Sequence, residues 1–274
     1  MKYDHRNGAW ARRRLLQGAV CLGALGGYRL LTGAAPGRPE APGTGGAPAP
    51  PPAPSSYRLR PLAGTARPPD GPAVVRARAH RTLRWPGRYI ALTFDDGPHP
   101  EQTPAVLEVL RRHACRATFF VIGENADWNR DLVRAIADAG HVVANHSWTH
   151  PQLDLIPPGR VRSELGRTSE LIAHTLGAPP RFARAPYGAW DAASLRVCAE
   201  LGMEPVGWSV DSLDWTEPGE STIRAQVLTL AHPGAIVLAH DGGGDRWATV
   251  RALAHYLPRL LDRGYTPVPV AEPL

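Results

Sequence analysis

From Tyr89 to Val270 the sequence alternates short apolar runs with amphipathic stretches, and this alternation restricts the fold more than any other feature. The apolar runs are Arg88–Leu92, Ala117–Ile122, His141–Ala144, Arg181–Ala185, Pro205–Val210, Ala235–Ala239 and Thr266–Val270. Short runs of this kind, bounded by turn residues, read as strands. Between them Thr103–Ala114, Asp131–Ala139, Pro158–Leu176, Asp191–Leu201, Ser221–Ala231 and Trp247–Arg263 repeat apolar residues at helical spacing. Gly140, Gly202 and Gly264 stand where three of these helices should stop. Strands separated by helices pair in parallel, so the pattern predicts an α/β fold with about seven parallel strands, a barrel or an open sheet. No internal repeat is visible.

Polar clusters follow the predicted strands. Asp95-Asp96 follows the first, His146-Ser147-Trp148-Thr149-His150 the third, and Arg184-Ala185-Pro186-Tyr187-Gly188 the fourth. Asp211-Ser212-Leu213-Asp214-Trp215 follows the fifth and His240-Asp241 the sixth. In a barrel these strand ends share one face, and that face holds the active site. The stretch Thr93–Pro100 is central. Neighbouring strand residues point to opposite sides, but a turn at Gly97-Pro98 can swing the Asp96 carboxylate back toward Asp95. An isolated Asp-Asp-Gly reads more plainly as an Asp-capped helix start; the other clusters reverse that preference. His146 and His150 are four apart, which in one helical turn puts both imidazoles on one side, ready to share a metal. One carboxylate of Asp95-Asp96 completes a two-His-one-carboxylate set. Three protein ligands and an open position mark a catalytic rather than a structural zinc, and the second carboxylate is then free to act as a base.

The chain divides by composition. Residues 1–88 carry 15 Lys and Arg against 3 Asp and Glu, whereas residues 89–274 carry 16 against 22. The net charge of +6 therefore belongs to the N-terminal third, and the mildly acidic remainder argues against a nucleic-acid partner. Residues 1–35 read as an export signal or membrane anchor: Arg12-Arg13-Arg14 precede Leu15-Leu16 and an uncharged run from Gly18 to Tyr28. The paired arginines resemble a twin-arginine signal. Residues 36–72 hold 12 of the 29 prolines, and a linker is expected over 36–87, leaving 88–274 as a single catalytic domain. Cys115 and Cys198 read as buried free thiols, although sequence cannot show whether they pair. The run from Asp241 to Asp245 lacks the Lys and spacing of a phosphate loop and reads as a tight turn.

Five motifs in this order resemble the polysaccharide deacetylases of carbohydrate esterase family four, over about residues 88–271. The resemblance implies a distorted (β/α) barrel and one divalent metal, zinc before cobalt or another ion. It implies Asp95 as general base in Thr-Phe-Asp-Asp-Gly. Asp96, His146 and His150 become the metal ligands. Arg184 of Arg-x-Pro-Tyr-Gly pairs with the base, and the Tyr187 backbone N–H holds an oxyanion. In Leu-x-His, His240 becomes the general acid. Asp214 is assigned as its partner, since a nearby carboxylate favours an imidazolium. Trp215 and Leu238 wall the pocket for the acetyl methyl. An Arg at position 184 can also grip a carboxylate through two N–H groups. The implied activity is removal of N-acetyl groups, as acetate, from a β-1,4-linked amino-sugar polymer; the N-terminal segment adds the expectation of export, and a monomer is expected. An O-acetyl esterase on xylan and a non-catalytic wall-binding module are the alternatives. His99 reads as a loop residue beside the site, His113, His141, His174, His232 and His255 as ordinary helix or strand-end histidines, and Trp190, Trp208 and Trp247 as core or rim.

Overall fold

The computed structural model describes residues 74–271 and 274. The expected export segment and most of the expected linker lie outside the described residues. Within them an eight-stranded sheet is built entirely from parallel pairs. β1 (Tyr89–Asp95) lies at its centre between β2 (Thr118–Val121) and β7 (Ala235–His240). Beyond β2 come β3 (Val142–Asn145), β4 (Phe182–Ala183) and β5 (Glu204–Pro205), and beyond β7 comes β6 (Val210–Asp211). β8 (Thr266–Pro267) pairs with the start of β1.

β5 and β6 occupy opposite ends of this order, yet only residues 206–209 separate them in the chain. The sheet must therefore curl until its two edges approach, which makes the distorted (β/α) barrel expected from sequence. The single strand expected at Pro205–Val210 is this crossing. Val206 N bonds Ala183 O on one edge, and Ser209 N bonds Ile236 O on the other. Val206 and Val210 are both fully buried, so the run carries a strand's apolar signature while joining two strands. The strands expected at 181–185 and 266–270 shorten to two residues each.

The helices are α1 (Gln102–Arg112), α2 (Gly123–Trp128), α3 (Arg130–Asp138), α4 (Pro158–Leu176), α5 (Ala192–Glu200), α6 (Glu220–Leu230) and α7 (Trp247–Asp262). Six match the predicted stretches. α2, with sequence Gly-Glu-Asn-Ala-Asp-Trp, has no apolar periodicity and was not foreseen. His99 proves to serve α1, its Nδ1 accepting from the N–H groups of Glu101 and Gln102 at 3.2 and 3.3 Å. No helix among the described residues is long and apolar enough to cross a membrane. Cys115 and Cys198 are buried free thiols.

Side-chain alternation separates two cores. Ile90, Leu92 and Phe94 of β1 pack toward the helices with Phe119, Val121, Val237 and Ala239. Ala91 packs inside the barrel with Phe120, Ala144, Val206 and Ile236. By the two-residue period Thr93 and Asp95 share that inner side. The barrel interior thus begins apolar and becomes polar at the carboxyl ends of the strands.

The boundary expected at residue 88 falls within folded chain. His80 N bonds Pro205 O and Gly207 N bonds His80 O, while Leu83 N bonds Gly234 O. Residues 80–83 so form a strap across the seam between the β5 and β7 regions, and Leu83 is buried in the inner core. Arg78, Arg81 and Arg84 around this one anchor gave the segment the look of a solvated linker. Leu83→Ala should cost about 2–5 kcal/mol, the usual range for emptying a buried leucine site. Urea unfolding of the purified protein measures this, and an unchanged midpoint would show that the strap contributes nothing to the core.

Candidate active site

Asp95 ends β1 on the inner side of the barrel, and the chain then turns at Asp96 with φ 70°, a left-handed conformation uncommon for a residue with a side chain. Neighbouring segments hold that turn in place. Asn125 Nδ2 donates to Asp96 O at 2.9 Å, and Ile122 N donates to Gly97 O at 3.0 Å. The glycines after His240 close over it from the other side. A Cβ on Gly242 would come within 2.3 Å of Asp96 O, and one on Gly243 within 2.4 Å of Asp96 Oδ2. These glycines permit close approach to a carboxylate, which accounts for the run without a phosphate.

His146 and His150 are brought together, but not by the helical turn expected. Residues 146–150 form an irregular loop in which Ser147 and His150 both take left-handed backbone conformations. Asp96 Oδ1 lies 3.3 Å from His146 Nε2 and 3.2 Å from His150 Nε2. Neither contact has the alignment of a hydrogen bond, so this buried oxygen is without a hydrogen-bond partner. His146 Nδ1 lies 2.8 Å from the Arg184 carbonyl oxygen, which fixes the proton there and turns the Nε2 lone pair toward Asp96. The ligating atoms of Asp96, His146 and His150 all lie within 4.8 Å of one another. An orphaned carboxylate oxygen, two converging imidazole nitrogens and an oriented histidine are the donor set of a divalent cation. Burial alone would raise the Asp96 carboxyl, but His146 and His150, when protonated in the absence of a cation, outweigh it and hold the group well below the usual carboxylate range.

Asp95 faces the same histidine, its Oδ2 lying 3.7 Å from His146 Nε2. Its other oxygen, Oδ1, accepts from Arg184 Nη1 at 2.7 Å. Arg184 is fully buried. The expected two-pronged grip on the carboxylate is absent: Nη1 also bonds Thr93 Oγ1 at 2.8 Å, and Nη2 is taken by Gly207 O at 2.9 Å. The guanidinium also stacks on Phe120, 4.1 Å from its ring centre.

His240 ends β7 in register with Asp95; its Nδ1 lies 2.7 Å from Asp214 Oδ1, and its backbone N donates to Asp214 Oδ2 at 2.8 Å. Thr249 Oγ1 also donates to Oδ2 at 2.8 Å, and Arg246 Nη1 to Asp214 O at 3.1 Å. Burial alone would lower His240, but the Asp214 hydrogen bond and charge, helped by Asp96 and Asp95, overcome it and push the imidazole up to about 9. Leu238 is buried two residues before His240 on the same inner side, whereas Trp215 is 46% exposed and stands at the rim. Tyr187 has φ 61° and lays its exposed ring edge-on to His150, with ring centres 4.9 Å apart.

Sequence reasoning missed Thr93, Asn125, Thr249 and Arg246. None of them carries a role in a motif that sequence alone assigns, and only the fold reveals its partner. Asp241 was read as part of a turn but is a buried acid, its Oδ2 accepting from Thr103 Oγ1 at 2.5 Å. Burial, supplemented by the charges of Asp96 and Asp95 and opposed by the Thr103 hydrogen bond, pushes its carboxyl up to about 7.

Known proteins share this arrangement's sequence and fold. The family described as Polysaccharide deacetylase matches residues 84–206. A chitooligosaccharide deacetylase of Bradyrhizobium is 43% identical over 197 residues, spanning 68% of this chain and 90% of the relative. The chain belongs to the polysaccharide deacetylase family. A peptidoglycan-N-acetylglucosamine deacetylase of Bacillus cereus is 39% identical over 176 residues, 64% of either chain. The crystal structure of the Bc1960 peptidoglycan N-acetylglucosamine deacetylase superposes with a TM-score of 0.67 at 36% identity, covering 69% of this chain and 89% of that one. The enzyme is a deacetylase hydrolase of a metal-dependent family, and Asp96, His146 and His150 form a group able to hold a metal ion.

The Asp214 contact supports a pH prediction. A general acid works only while protonated, so its limb of the rate profile is intact below its pKa and lost above it. Asp214→Asn removes the charge that raises His240, and the alkaline limb of turnover should move to lower pH. An unmoved limb in a folded Asp214→Asn variant would detach His240 from that limb.

Proposed function

We propose that this enzyme hydrolyses the N-acetyl amide of a β-1,4-linked amino-sugar polymer, peptidoglycan or a chitin-like oligosaccharide, releasing acetate and a free amine. The observation that carries the reading is the convergence of a base, a cation-binding group and an acid at neighbouring strand ends. Asp95 with Arg184 stands beside Asp96, His146 and His150, and His240, backed by Asp214, ends the adjacent strand in register with Asp95. A divalent cation at Asp96, His146 and His150, zinc in this reading, supplies the charge that polarises an acetyl carbonyl and acidifies water.

Asp95 takes the proton from the attacking water, and Arg184 holds the carboxylate in place. As the amide carbon becomes tetrahedral, the Tyr187 N–H donates to the developing oxyanion. His240 then gives its proton to the departing nitrogen, which needs one because an amide anion is a poor leaving group. Asp214 keeps Nδ1 occupied, so Nε2 is the nitrogen that donates. Leu238 and Trp215 border the space for the methyl group. The basic, apolar and proline-rich order of residues 1–72 supports an exported enzyme acting at the cell envelope, secreted or anchored, by a twin-arginine route.

The test is acetate release by the zinc-loaded protein from N-acetylglucosamine oligomers and peptidoglycan, set against acetylated xylan. The reading predicts release from the amide substrates; release from xylan alone would make the enzyme an O-acetyl esterase. His240→Ala should keep its metal and lose about 10²–10⁴-fold in rate, the usual scale of general acid–base catalysis. Asp95→Asn should be nearly inactive with metal still bound. Metal loss in His240→Ala, measured by elemental analysis, would overturn its assignment.

A further inference from the structure

The loop carrying both metal-binding histidines belongs to no helix or strand, so something else must fix its backbone. Its polar groups are taken up from two sides. The carbonyls of Ser147 and Trp148 accept from Gly123 N at 2.9 Å and Glu124 N at 3.1 Å, at the start of α2. The N–H groups of Trp148 and Thr149 both donate to one oxygen, Glu164 Oε2 of α4, at 2.9 and 2.7 Å. Thr149 Oγ1 donates to the other, Oε1, at 2.9 Å. Glu164 is 6% exposed, and among the described residues every hydrogen bond to its carboxyl group comes from this loop. Trp148 is itself trapped: a Cβ on Gly123 would meet its ring at 2.4 Å, and Arg167 lies 4.0 Å above the ring centre.

We propose that Glu164 is a positioning residue for the metal centre. It grips the two N–H groups midway between His146 and His150, and so sets the loop in the form that converges both Nε2 atoms on Asp96 Oδ1. The inference rests on Asp96, His146 and His150 being the ligands. Ser147 and His150 sit at φ 65° and 61°, conformations that residues with side chains hold only where their surroundings over-determine them. Glu164 supplies that constraint from the helix side. Without it the Trp148 and Thr149 N–H groups lose their shared acceptor, and the loop relaxes toward a form that satisfies them elsewhere.

Reach matters more than charge here. Gln at position 164 retains a carbonyl oxygen for the two N–H groups at the same distance from the helix. Asp retains the acid but is shorter by one methylene. The test compares wild type, Glu164→Gln, Glu164→Asp and Glu164→Ala in the full chain. Zinc affinity is measured by competition with a chromophoric chelator, and ligand geometry from the visible spectrum of the cobalt-substituted protein. Glu164→Gln should bind zinc as the wild type does. Glu164→Asp and Glu164→Ala should bind it about 10–100-fold more weakly, the scale for residues that orient metal ligands, with an altered cobalt spectrum. Where the Ala variant does not fold, the Asp variant carries the test. Wild-type zinc affinity and spectrum in folded Glu164→Asp would overturn the proposal. His146→Ala serves as the reference: if it too leaves zinc binding intact, it is the ligand assignment that fails, not the role of Glu164.

Discussion

The buried guanidinium of Arg184 is the interaction on which the site depends. Through Nη1 it joins Thr93 and Asp95 of β1, and through Nη2 it joins Gly207 in the crossing between the sheet edges. Its own carbonyl orients His146. One residue after β4 therefore ties the proposed base, a proposed metal ligand and the closure of the barrel together. Such a contact is a poor source of stability. Desolvating two charges offsets most of their attraction, while removing one partner typically costs about 3–5 kcal/mol because the other is left buried alone. Its presence in an otherwise apolar interior is explained by chemistry at the barrel mouth.

The acids around that mouth are divided by their surroundings. Asp96 is held ionised by two imidazoles, and Asp214 by His240 and Thr249, in both cases against the burial that would otherwise raise them. Asp241, equally buried but with only a neutral hydroxyl as its hydrogen-bond partner, is pushed the other way. Environment alone gives like side chains unlike protonation, which is how one site presents both a proton acceptor and a proton donor. Asp96 and Asp214 each sit where a cation, metal or imidazolium, compensates them.

Much of this was legible in sequence because period and punctuation coincide. α4 begins at Pro158 and ends before Gly177, which has a left-handed φ of 82°, and its predicted bounds match those observed. The polar clusters were legible because a parallel α/β fold gathers its strand ends on one face. What remained hidden needed the third dimension. A run such as Pro205–Val210 buries alternate side chains whether it is one strand or a bridge between two edges. Four-residue spacing of His146 and His150 suggests a helix, yet the same convergence arises from a loop with two left-handed residues. Glu164, Asn125 and Thr249 carry no motif, since each acts on a backbone group or acid distant in sequence.

The central claim is that Arg184 organises the site through three separate bonds and not by charge alone. Turnover of N-acetylglucosamine oligomers by Arg184→Lys, with metal content measured alongside, tests it most directly. Lysine keeps the positive charge near Asp95 but cannot span Thr93, Asp95 and Gly207 together. The account predicts a folded, metal-bound variant slower by about 10²-fold, the scale of a small misplacement of reacting groups. Wild-type turnover in that variant would contradict it.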